Sequence, residues 1–318
     1  MILIYPLDLI APITDIELAQ IQASAGDIEV VITRDKSLAI QLSQRAQVIF
    51  GDICPEFFIE GSKLQWVQSV GAGVNKIAVF IGDRPIKLVS ARGLVGPHLA
   101  EHAMALLLSI TRGIAEAVRN PGWENREDIR NNQWEFTNKV IAIVGMGSAG
   151  QALAKRARAF EFMKIIGVDI SPVVSTEFLD QLVNPDSINT VMGECDVVCL
   201  TLPLTTSNIG WFDYDLLSKI KRGGVLINVS RGGLVVHSDL LKLLDEGSIR
   251  AAGLDVLDIE PIFASNSNFK RRDLVITPHI AGGSPLRAKR VIDQFCQNLI
   301  NWREGDELQG LYDKSVEF

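Results

Sequence analysis

No apolar run in this sequence is long enough to span a bilayer, and the first residues, Met1–Pro6, lack the basic start of a signal peptide. Positive charge is also in the minority, since 31 Lys and Arg residues face 38 Asp and Glu residues. A nucleic-acid-binding protein would normally present a basic face, so this class is disfavoured, although basic residues can still gather in one cleft around an anionic substrate. We therefore expect a cytoplasmic protein whose partners include neither a membrane nor a nucleic acid.

Cysteine and histidine are scarce, with four residues of each. The cysteines form no CxxC pair, and we expect buried free thiols, because a reducing compartment favours thiols over disulfides. They are Cys54, Cys195, Cys199 and Cys296. His98 and His102 could share one face of a helix, but no third ligand is evident, so we predict no metal site. We expect structural hydrogen bonds from His102, a weak contribution of His98 to a cleft, and no chemistry from His237.

Hydrophobic residues, by contrast, make up 47% of the sequence. A chain of 318 residues is longer than most domains with a single hydrophobic core, which suggests two domains. Short apolar runs alternate with amphipathic stretches, a pattern typical of parallel-sheet α/β domains. The predicted strands of the first series are Met1–Tyr5, Glu29–Ile32, Val48–Phe50, Trp66–Val70 and Lys87–Val89. Its predicted helices are Asp15–Ala25 and Lys36–Arg45.

A second series follows the segment Pro97–Asn120, whose apolar residues recur at helical spacing and predict one long helix that enters the second domain. The predicted strands of this series are Lys139–Val144, Lys164–Val168, Val197–Leu202, Val225–Asn228, Ala251–Leu254 and Leu274–Thr277. A closing helix, Pro285–Arg303, could return to the first domain. That domain would then be discontinuous in sequence, and we expect the active cleft between the two domains.

A glycine fingerprint, Gly145-Met146-Gly147-Ser148-Ala149-Gly150, follows the apolar strand of residues 140–144 and precedes Gln151–Phe160, which is predicted to be helical. The first glycine permits a tight turn, the second lets the backbone approach a pyrophosphate, and the third allows close packing of helix on strand. The N-terminus of the helix offers unpaired N–H groups to phosphates. This context indicates a dinucleotide site.

Asp169 ends the next predicted strand, at the place where a carboxylate accepts hydrogen bonds from the ribose hydroxyls of the adenosine. An acid there repels a 2′-phosphate. We therefore predict NAD(H) as the cofactor, in preference to NADP(H).

Three polar residues, Arg231, Glu260 and His279, follow successive strands, and active clefts form beyond the carboxyl ends of such strands. An arginine can pair with a substrate carboxylate through two parallel hydrogen bonds. Hydride transfer to a ketone builds negative charge on oxygen, and a histidine is suited to supply the proton, because its ordinary pKa of ~6.5 is raised by a neighbouring carboxylate. Taken singly, each residue could be an unremarkable turn or loop residue. Together they indicate reduction of a carbonyl compound that carries a carboxylate.

These motifs resemble the D-isomer-specific 2-hydroxyacid dehydrogenase family over nearly the whole chain. The stretches that carry the resemblance are Gly145–Gly150, Leu202–Thr205, Asn228–Gly233, Ala252–Val256, Glu260-Pro261, Thr277–Gly282 and the tail from Asn298 to Asp313. The resemblance implies two doubly wound parallel-sheet domains. An NAD-binding Rossmann domain of residues 97–285 would be inserted into a flavodoxin-like substrate domain of residues 1–96 and 286–318.

The resemblance also implies roles for single residues. Arg231 would bind the substrate carboxylate and polarise the ketone oxygen, His279 would donate the proton, and Glu260 would hold His279 in the correct tautomer. Asp255 would accept a hydrogen bond from the nicotinamide carboxamide. The cofactor-binding residues implied by the family are Gly145, Gly147, Ser148, Ala149, Gly150, Asp169, Leu202, Pro203, Val229, Ser230 and Asp255.

In the first domain, the small residues of Ser69–Asn75 could turn main-chain N–H groups toward an anion. The matching loop of the family binds the substrate carboxylate, which implies contacts at Ala72 and Gly73. The chain departs from the family at Asn75, where aspartate is common, and at Ser207, where threonine is common. It also departs in Phe160–Met163, which lacks the glycine usual before the second strand, so that turn is expected to differ.

The resulting hypothesis is an NAD-dependent oxidoreductase that interconverts a small 2-oxoacid and its D-2-hydroxyacid, with glyoxylate and hydroxypyruvate as examples. Glu260 stands where related formate dehydrogenases carry glutamine, which disfavours formate. No regulatory domain follows residue 318, which disfavours the long phosphoglycerate dehydrogenases. An NAD-sensing protein that resembles the family's transcriptional corepressors is the alternative. The family further implies a homodimer, for which the helix from Pro97 and the loop with Trp123 and Trp134 are candidate contacts.

Overall fold

The computed structural model of the protein divides into two compact units. Unit 1 comprises Met1–Val95 and Gly283–Phe318, and unit 2 comprises Gly96–Gly282. The residues that the structure describes are 1–6, 12–170 and 177–315. Residues 316–318 of the predicted substrate domain therefore lie outside the described part.

The secondary structure of the described ranges is as follows. The strands are β1 (Ile2–Tyr5), β2 (Val30–Ile32), β3 (Val48–Gly51), β4 (Trp66–Ser69), β5 (Lys87–Val89), β6 (Val140–Val144), β7 (Lys164–Val168), β8 (Gln181–Val183), β9 (Val197–Leu200), β10 (Gly224–Asn228), β11 (Ile249–Leu254) and β12 (Leu274–Ile276). The α-helices are α1 (Asp15–Ala25), α2 (Lys36–Ser43), α3 (Asn75–Ile81), α4 (Gly96–Thr111), α5 (Ile114–Arg119), α6 (Arg126–Asn131), α7 (Ser148–Ala159), α8 (Tyr214–Leu217), α9 (His237–Asp245) and α10 (Pro285–Glu304). No helix in these ranges is both apolar enough and long enough to cross a membrane.

The sheet of unit 1 is entirely parallel, in the order β2-β1-β3-β4-β5, which is the flavodoxin-like order. All five strands were predicted from the sequence and are confirmed. Successive residues of β1 face opposite cores, because Ile2 and Ile4 pack into one apolar cluster while Leu3 and Tyr5 pack into the other. A strand buried on both faces needs a continuous apolar run, which is the pattern that the sequence displays.

The sheet of unit 2 is also parallel, in the order β12-β11-β10-β9-β6-β7-β8. The strand order reverses between β6 and β9, which is the switch point of a Rossmann fold, where ligands bind beyond the carboxyl ends of the strands. In β6, Val140, Ala142 and Val144 enter one core, and Ile141 and Ile143 enter the other. The predicted fold of two doubly wound parallel-sheet domains is confirmed, and β8 is an edge strand that the sequence analysis missed.

The single long helix predicted for Pro97–Asn120 is wrong. Helix α4 ends at Thr111 and α5 begins at Ile114, because Gly113 adopts a left-handed conformation with φ 67°. A Cβ atom at Gly113 would lie 2.6 Å from Cγ2 of Ile129, so the chain turns where α6 packs closely against it. The apolar residues keep their helical spacing on both sides of Gly113, so the sequence pattern does not reveal the break.

Candidate active site

The glycine fingerprint joins β6 to α7 in a tight turn. Gly145 has φ 94°, and a Cβ atom on it would lie 2.6 Å from the backbone of Leu202. A Cβ atom on Gly150 would overlap the carbonyl oxygen of Gly145, whereas one on Gly147 would meet no atom within 4 Å. The turn is therefore packed against protein at its two ends and open at Gly147, beside the first N–H groups of α7, where an anion can approach the backbone.

Asp169 directly follows β7 and is half-buried beside this turn. Its Oδ2 accepts a hydrogen bond of 2.6 Å from the N–H of Met146. Ser148 and Ala149, two further residues implied by the family resemblance, form the first turn of α7. The structure thus brings the glycine fingerprint and the predicted ribose-binding carboxylate together.

Asn228, at the end of β10, organises the loop that carries Arg231. Its side chain is buried, its Oδ1 accepts a hydrogen bond of 3.0 Å from the N–H of Ser230, and its Nδ2 donates to the carbonyl of Arg231 at 3.0 Å. An asparagine that bonds its own backbone two residues on forms an Asx turn. Both halves of the amide therefore fix the backbone on either side of the peptide bond that precedes the arginine.

The Arg231 side chain is half-buried and donates through Nη1 to the carbonyl of Ser230 at 2.7 Å. Burial lowers the pKa of the Arg231 guanidinium below its ordinary value, and the carboxylate of Glu260 acts in the opposite direction. The cation and the carboxylate of the predicted trio thus influence one another electrostatically. Arginine keeps its charge even so.

Glu260 is hydrogen-bonded at both carboxylate oxygens. Oε2 lies 2.7 Å from Nδ1 of His279, and Oε1 accepts a hydrogen bond of 2.7 Å from the N–H of Leu257. Because a carboxylate can only accept, Nδ1 of His279 carries a proton and Nε2 is left to face a ligand. The side chain of His279 is about half exposed, at 51%. Position 279 is therefore oriented by its neighbour and still accessible.

Asp255, which follows β11 and is 2% exposed, fixes the backbone around His279. It accepts from three consecutive N–H groups: its carbonyl from His279, its Oδ1 from Ile280 and its Oδ2 from Ala281, each at 2.9 Å. His279 adopts φ 53°, a left-handed conformation that is uncommon outside glycine and costs about 1–3 kcal/mol. The surrounding hydrogen bonds hold the histidine in that conformation.

The charge of Asp255 is also determined by its neighbours. Burial alone would raise the pKa of this carboxyl, but hydrogen bonds from His102, Thr277 and the backbone N–H groups outweigh burial and hold the pKa below its ordinary value. Asp255 is therefore an ionised, accept-only group at neutral pH.

The remaining cofactor residues implied by the family lie around the same loops of unit 2. The carbonyl of Leu202 accepts a hydrogen bond from the hydroxyl of Ser230, which joins the loop after β9 to the loop after β10. Val229 is buried in an apolar core of unit 2, and Pro203 is exposed. Each residue lies at the carboxyl end of its strand.

Ala72 and Gly73 belong to unit 1, in the loop between β4 and α3, and both are exposed. The loop is anchored upstream of them, because Nη2 of Arg287, in the first turn of α10, donates to the carbonyl of Val70 at 2.7 Å. Arg231, Glu260 and His279 all belong to unit 2.

The other histidines and the cysteines lie outside the predicted trio. His102 forms the predicted structural hydrogen bond, with Nε2 2.8 Å from Oγ1 of Thr277, and Nε2 of His237 lies 2.8 Å from Nδ2 of Asn268. All four thiols are free, three are buried, and Cys54 is only half-buried, which corrects the expectation for that residue. In the described ranges, no group of three His, Cys, Asp or Glu side chains could hold a metal ion.

Several residues of the site were assigned no role from the sequence. In the sequence, Asn228 is one member of a longer motif, although its place at a strand end, two residues before a serine, is a recognisable signal for an Asx turn. The N–H of Leu257 bonds Glu260 only three residues further on, whereas the hydroxyl of Thr277 contacts Asp255 and His102, which belong to other segments. No local sequence pattern predicts the contacts of Thr277.

Comparisons with known proteins agree with this arrangement. The family model described as D-isomer specific 2-hydroxyacid dehydrogenase, NAD binding domain, matches residues 104–281. A glyoxylate reductase/hydroxypyruvate reductase of Mus musculus is 30% identical over 75% of this chain and 73% of its own. A solved D-isomer specific 2-hydroxyacid dehydrogenase family protein of Aeromonas salmonicida superposes with a TM-score of 0.80 at 26% identity, over 98% of each chain. An NADPH-dependent glyoxylate/hydroxypyruvate reductase of Sinorhizobium meliloti also gives 0.80, at 24% identity, over 100% of this chain and 99% of its own.

Proposed function

Because the chain belongs to the D-isomer-specific 2-hydroxyacid dehydrogenase family, we propose that it reduces a small 2-oxoacid to the D-2-hydroxyacid with NADH. Glyoxylate and hydroxypyruvate are the leading substrates, since the Mus musculus relative is named for both. The observation that carries the proposal is the hydrogen bond of 2.7 Å between Glu260 and Nδ1 of His279, beside an arginine on the neighbouring loop. The enzyme is an oxidoreductase.

The residues present fit a nicotinamide dinucleotide. The open space at Gly147 and the N-terminus of α7 would receive the pyrophosphate, and Asp169 would bind the adenosine ribose. When bound in its reduced form, the nicotinamide supplies the hydride. Asp255 would face the carboxamide of the ring, in the role that the family resemblance assigns to it.

The preference for NADH rests on charge. The carboxylate of Asp169 would repel a 2′-phosphate, and the sequence from residue 165 to residue 218 contains no lysine or arginine that could attract one. The Sinorhizobium meliloti protein is described as NADPH-dependent, but at 24% identity its likeness supports the fold alone.

The chain's own groups would act on the 2-oxoacid as follows. Arg231 would pair with the substrate carboxylate and polarise the ketone oxygen, since its planar fork suits two parallel hydrogen bonds. Nε2 of His279 would donate a proton to that oxygen, because Nδ1 is engaged by Glu260. Glu260 would keep the imidazole in this tautomer and orientation. Ala72 and Gly73 of unit 1 would offer backbone N–H groups to the carboxylate.

The test is a kinetic panel in which oxidation of NADH and of NADPH is followed with glyoxylate, hydroxypyruvate, pyruvate and larger 2-oxoacids. His279→Gln and Arg231→Gln should each lower turnover by ~10²–10⁴-fold while NADH still binds. The matched controls, His237→Gln and Arg222→Gln, replace a histidine outside the proposed machinery and an exposed arginine, and should retain activity. Absence of turnover with every 2-oxoacid, or full activity in His279→Gln, would refute the proposal. A homodimer and a cytoplasmic location stay predictions.

A further inference from the structure

His102 belongs to α4 and not to the loops that carry the proposed catalytic groups, but its side chain contacts residues of these loops. Its Nε2 is 2.8 Å from Oγ1 of Thr277 and 3.4 Å from Oδ1 of Asp255. Oγ1 of Thr277 is in turn 2.6 Å from the same Oδ1. Three side chains, one from α4 and two from the residues that directly follow β11 and β12, therefore meet close to the segment that holds His279.

The direction of each hydrogen bond follows from counting protons. The ionised carboxylate of Asp255 can only accept, so the hydroxyl proton of Thr277 must point to it. A threonine hydroxyl has one proton, and its oxygen can therefore only accept from the imidazole. Nε2 of His102 must be the donor, which fixes the tautomer of His102 as the one protonated at Nε2.

The chain of donors ends on the group that shapes the backbone at His279. Oδ1 of Asp255 receives Thr277 and the N–H of Ile280, and Oδ2 receives the N–H of Ala281. If Asp255 turned about its side-chain torsion, the bonds from Ile280 and Ala281 would be lost together, and the left-handed conformation at His279 would keep only its backbone bonds to the carbonyls of Asp255 and Thr277. Side chains that orient a reacting group must themselves be held by their neighbours.

We propose that His102 is a positioning residue for His279. By donating to Thr277, it holds the Asp255 carboxylate in the orientation that places the proton-donating imidazole. The inference rests on the proposed function, because it concerns the geometry of the proposed proton donor. Helix α4 supplies a rigid base, since it runs for 16 residues and buries much of one face in the core of unit 2.

The kinetic test compares three variants of this network with one control. His102→Leu removes the N–H donor, and Thr277→Val removes the hydroxyl. Each should lower kcat by ~10- to 100-fold with little change in the KM of the 2-oxoacid, because a small displacement of a reacting group slows the reaction strongly. His102→Gln retains an N–H donor at a similar reach and should restore most of kcat. Thr111→Val removes a buried hydroxyl from the same helix, where it donates to the carbonyl of Leu107 at 3.0 Å, and should leave kcat unchanged.

Nuclear magnetic resonance of the imidazole groups gives a readout that does not depend on turnover, and the chain has only four histidines to resolve. We expect His102 to be protonated at Nε2, and we expect the ring signals of His279 to move in His102→Leu and Thr277→Val but not in Thr111→Val. If His102→Leu fails to fold, Thr277→Val answers the same question. An Nδ1-protonated His102, or unchanged His279 signals together with unchanged kcat, would overturn the inference.

The two proposals fail separately. The proposed function would be refuted if none of the 2-oxoacids supported oxidation of NADH by the wild-type protein. If the ring signals of His279 still responded to His102→Leu in that case, the contact between His102 and the segment of His279 would remain supported. A wild-type protein that turns over 2-oxoacids, with His102→Leu equal to it both in kcat and in the ring signals of His279, would support the proposed function and refute the positioning role.

Discussion

A side-chain carbon at Gly232 would overlap the backbone carbonyl of Leu257. Gly232 directly follows Arg231, and the N–H of Leu257 is hydrogen-bonded to Glu260. The two loops that carry the cation and the carboxylate of the site are therefore in direct backbone contact. Only glycine permits so close an approach, and this contact explains how residues far apart in the chain come to share one site.

Gly232→Ala should separate these loops. We expect kcat/KM for the 2-oxoacid to fall at least ~10-fold, because Arg231 would move away from Glu260, and we expect the free energy of unfolding to fall by about 1–3 kcal/mol from overpacking. Steady-state kinetics and urea unfolding measure the two effects. Gly193→Ala is the control, since the nearest atom to an added Cβ there is the carbonyl oxygen of Lys219 at 3.9 Å. Wild-type kinetics in Gly232→Ala would show that the contact does not position the site.

Asp169→Asn should weaken the preference for NADH over NADPH. The substitution keeps an oxygen that can accept from the N–H of Met146, so the glycine turn is retained, but it removes the charge that would repel a 2′-phosphate. Like charges brought together cost several kcal/mol, so the ratio of the kcat/KM values for NADH and NADPH should fall at least ~10-fold. An unchanged ratio, or a wild-type enzyme that prefers NADPH, would contradict the assigned role of the carboxylate.

Much of the fold could be predicted from the sequence because buried parallel strands need continuous apolar runs. The run Val140–Val144 is one example, and the glycine fingerprint after it specified both the turn and the helix. Strand β8, Gln181–Val183, was missed because it is a short edge strand that is only partly buried. The break at Gly113 was missed because a single glycine within a helical period does not reveal a left-handed conformation.

The types of the residues in the candidate site could be predicted from the sequence, but the hydrogen bonds that hold these residues in place could not. The predicted trio follows strand ends, and reduction of a 2-oxoacid requires a cation for the substrate carboxylate and a proton donor oriented by a carboxylate. These roles match Arg231, His279 and Glu260. The left-handed backbone of His279 and the donor chain from His102 to Asp255 depend on contacts across many residues. Such contacts exist only once the sheet has formed, so no local sequence pattern encodes them.

Asp255 should make the stability of unit 2 depend on pH. Its folded-state pKa lies below the ordinary value of 3.8, so the stabilisation is fully present above about pH 4 and is lost as the pH falls through the folded-state pKa. Asp255→Asn should lower the free energy of unfolding by about 1–3 kcal/mol at pH 7, because Asn cannot accept the same set of hydrogen bonds. Urea unfolding between pH 7 and pH 3 should show the gap to the wild type narrowing at the acid end. The exposed Asp186→Asn is the control, and a gap that stayed constant with pH would count against the ionised carboxylate.

Glu161 lies in the turn between α7 and β7, where the family commonly has glycine and where the sequence suggested a different turn. The structure shows a glycine-like turn instead, since Glu161 adopts φ 60° and its side chain is exposed. A left-handed conformation costs a non-glycine residue ~1–2 kcal/mol, and glycine avoids that cost but gives up more entropy on folding. Glu161→Gly should therefore raise the free energy of unfolding by about 0.5–1 kcal/mol in urea unfolding. Glu161→Ala removes the same charge but keeps the left-handed cost, so it should leave stability unchanged. Equal stabilisation by alanine and glycine would assign the effect to the side chain and not to the backbone.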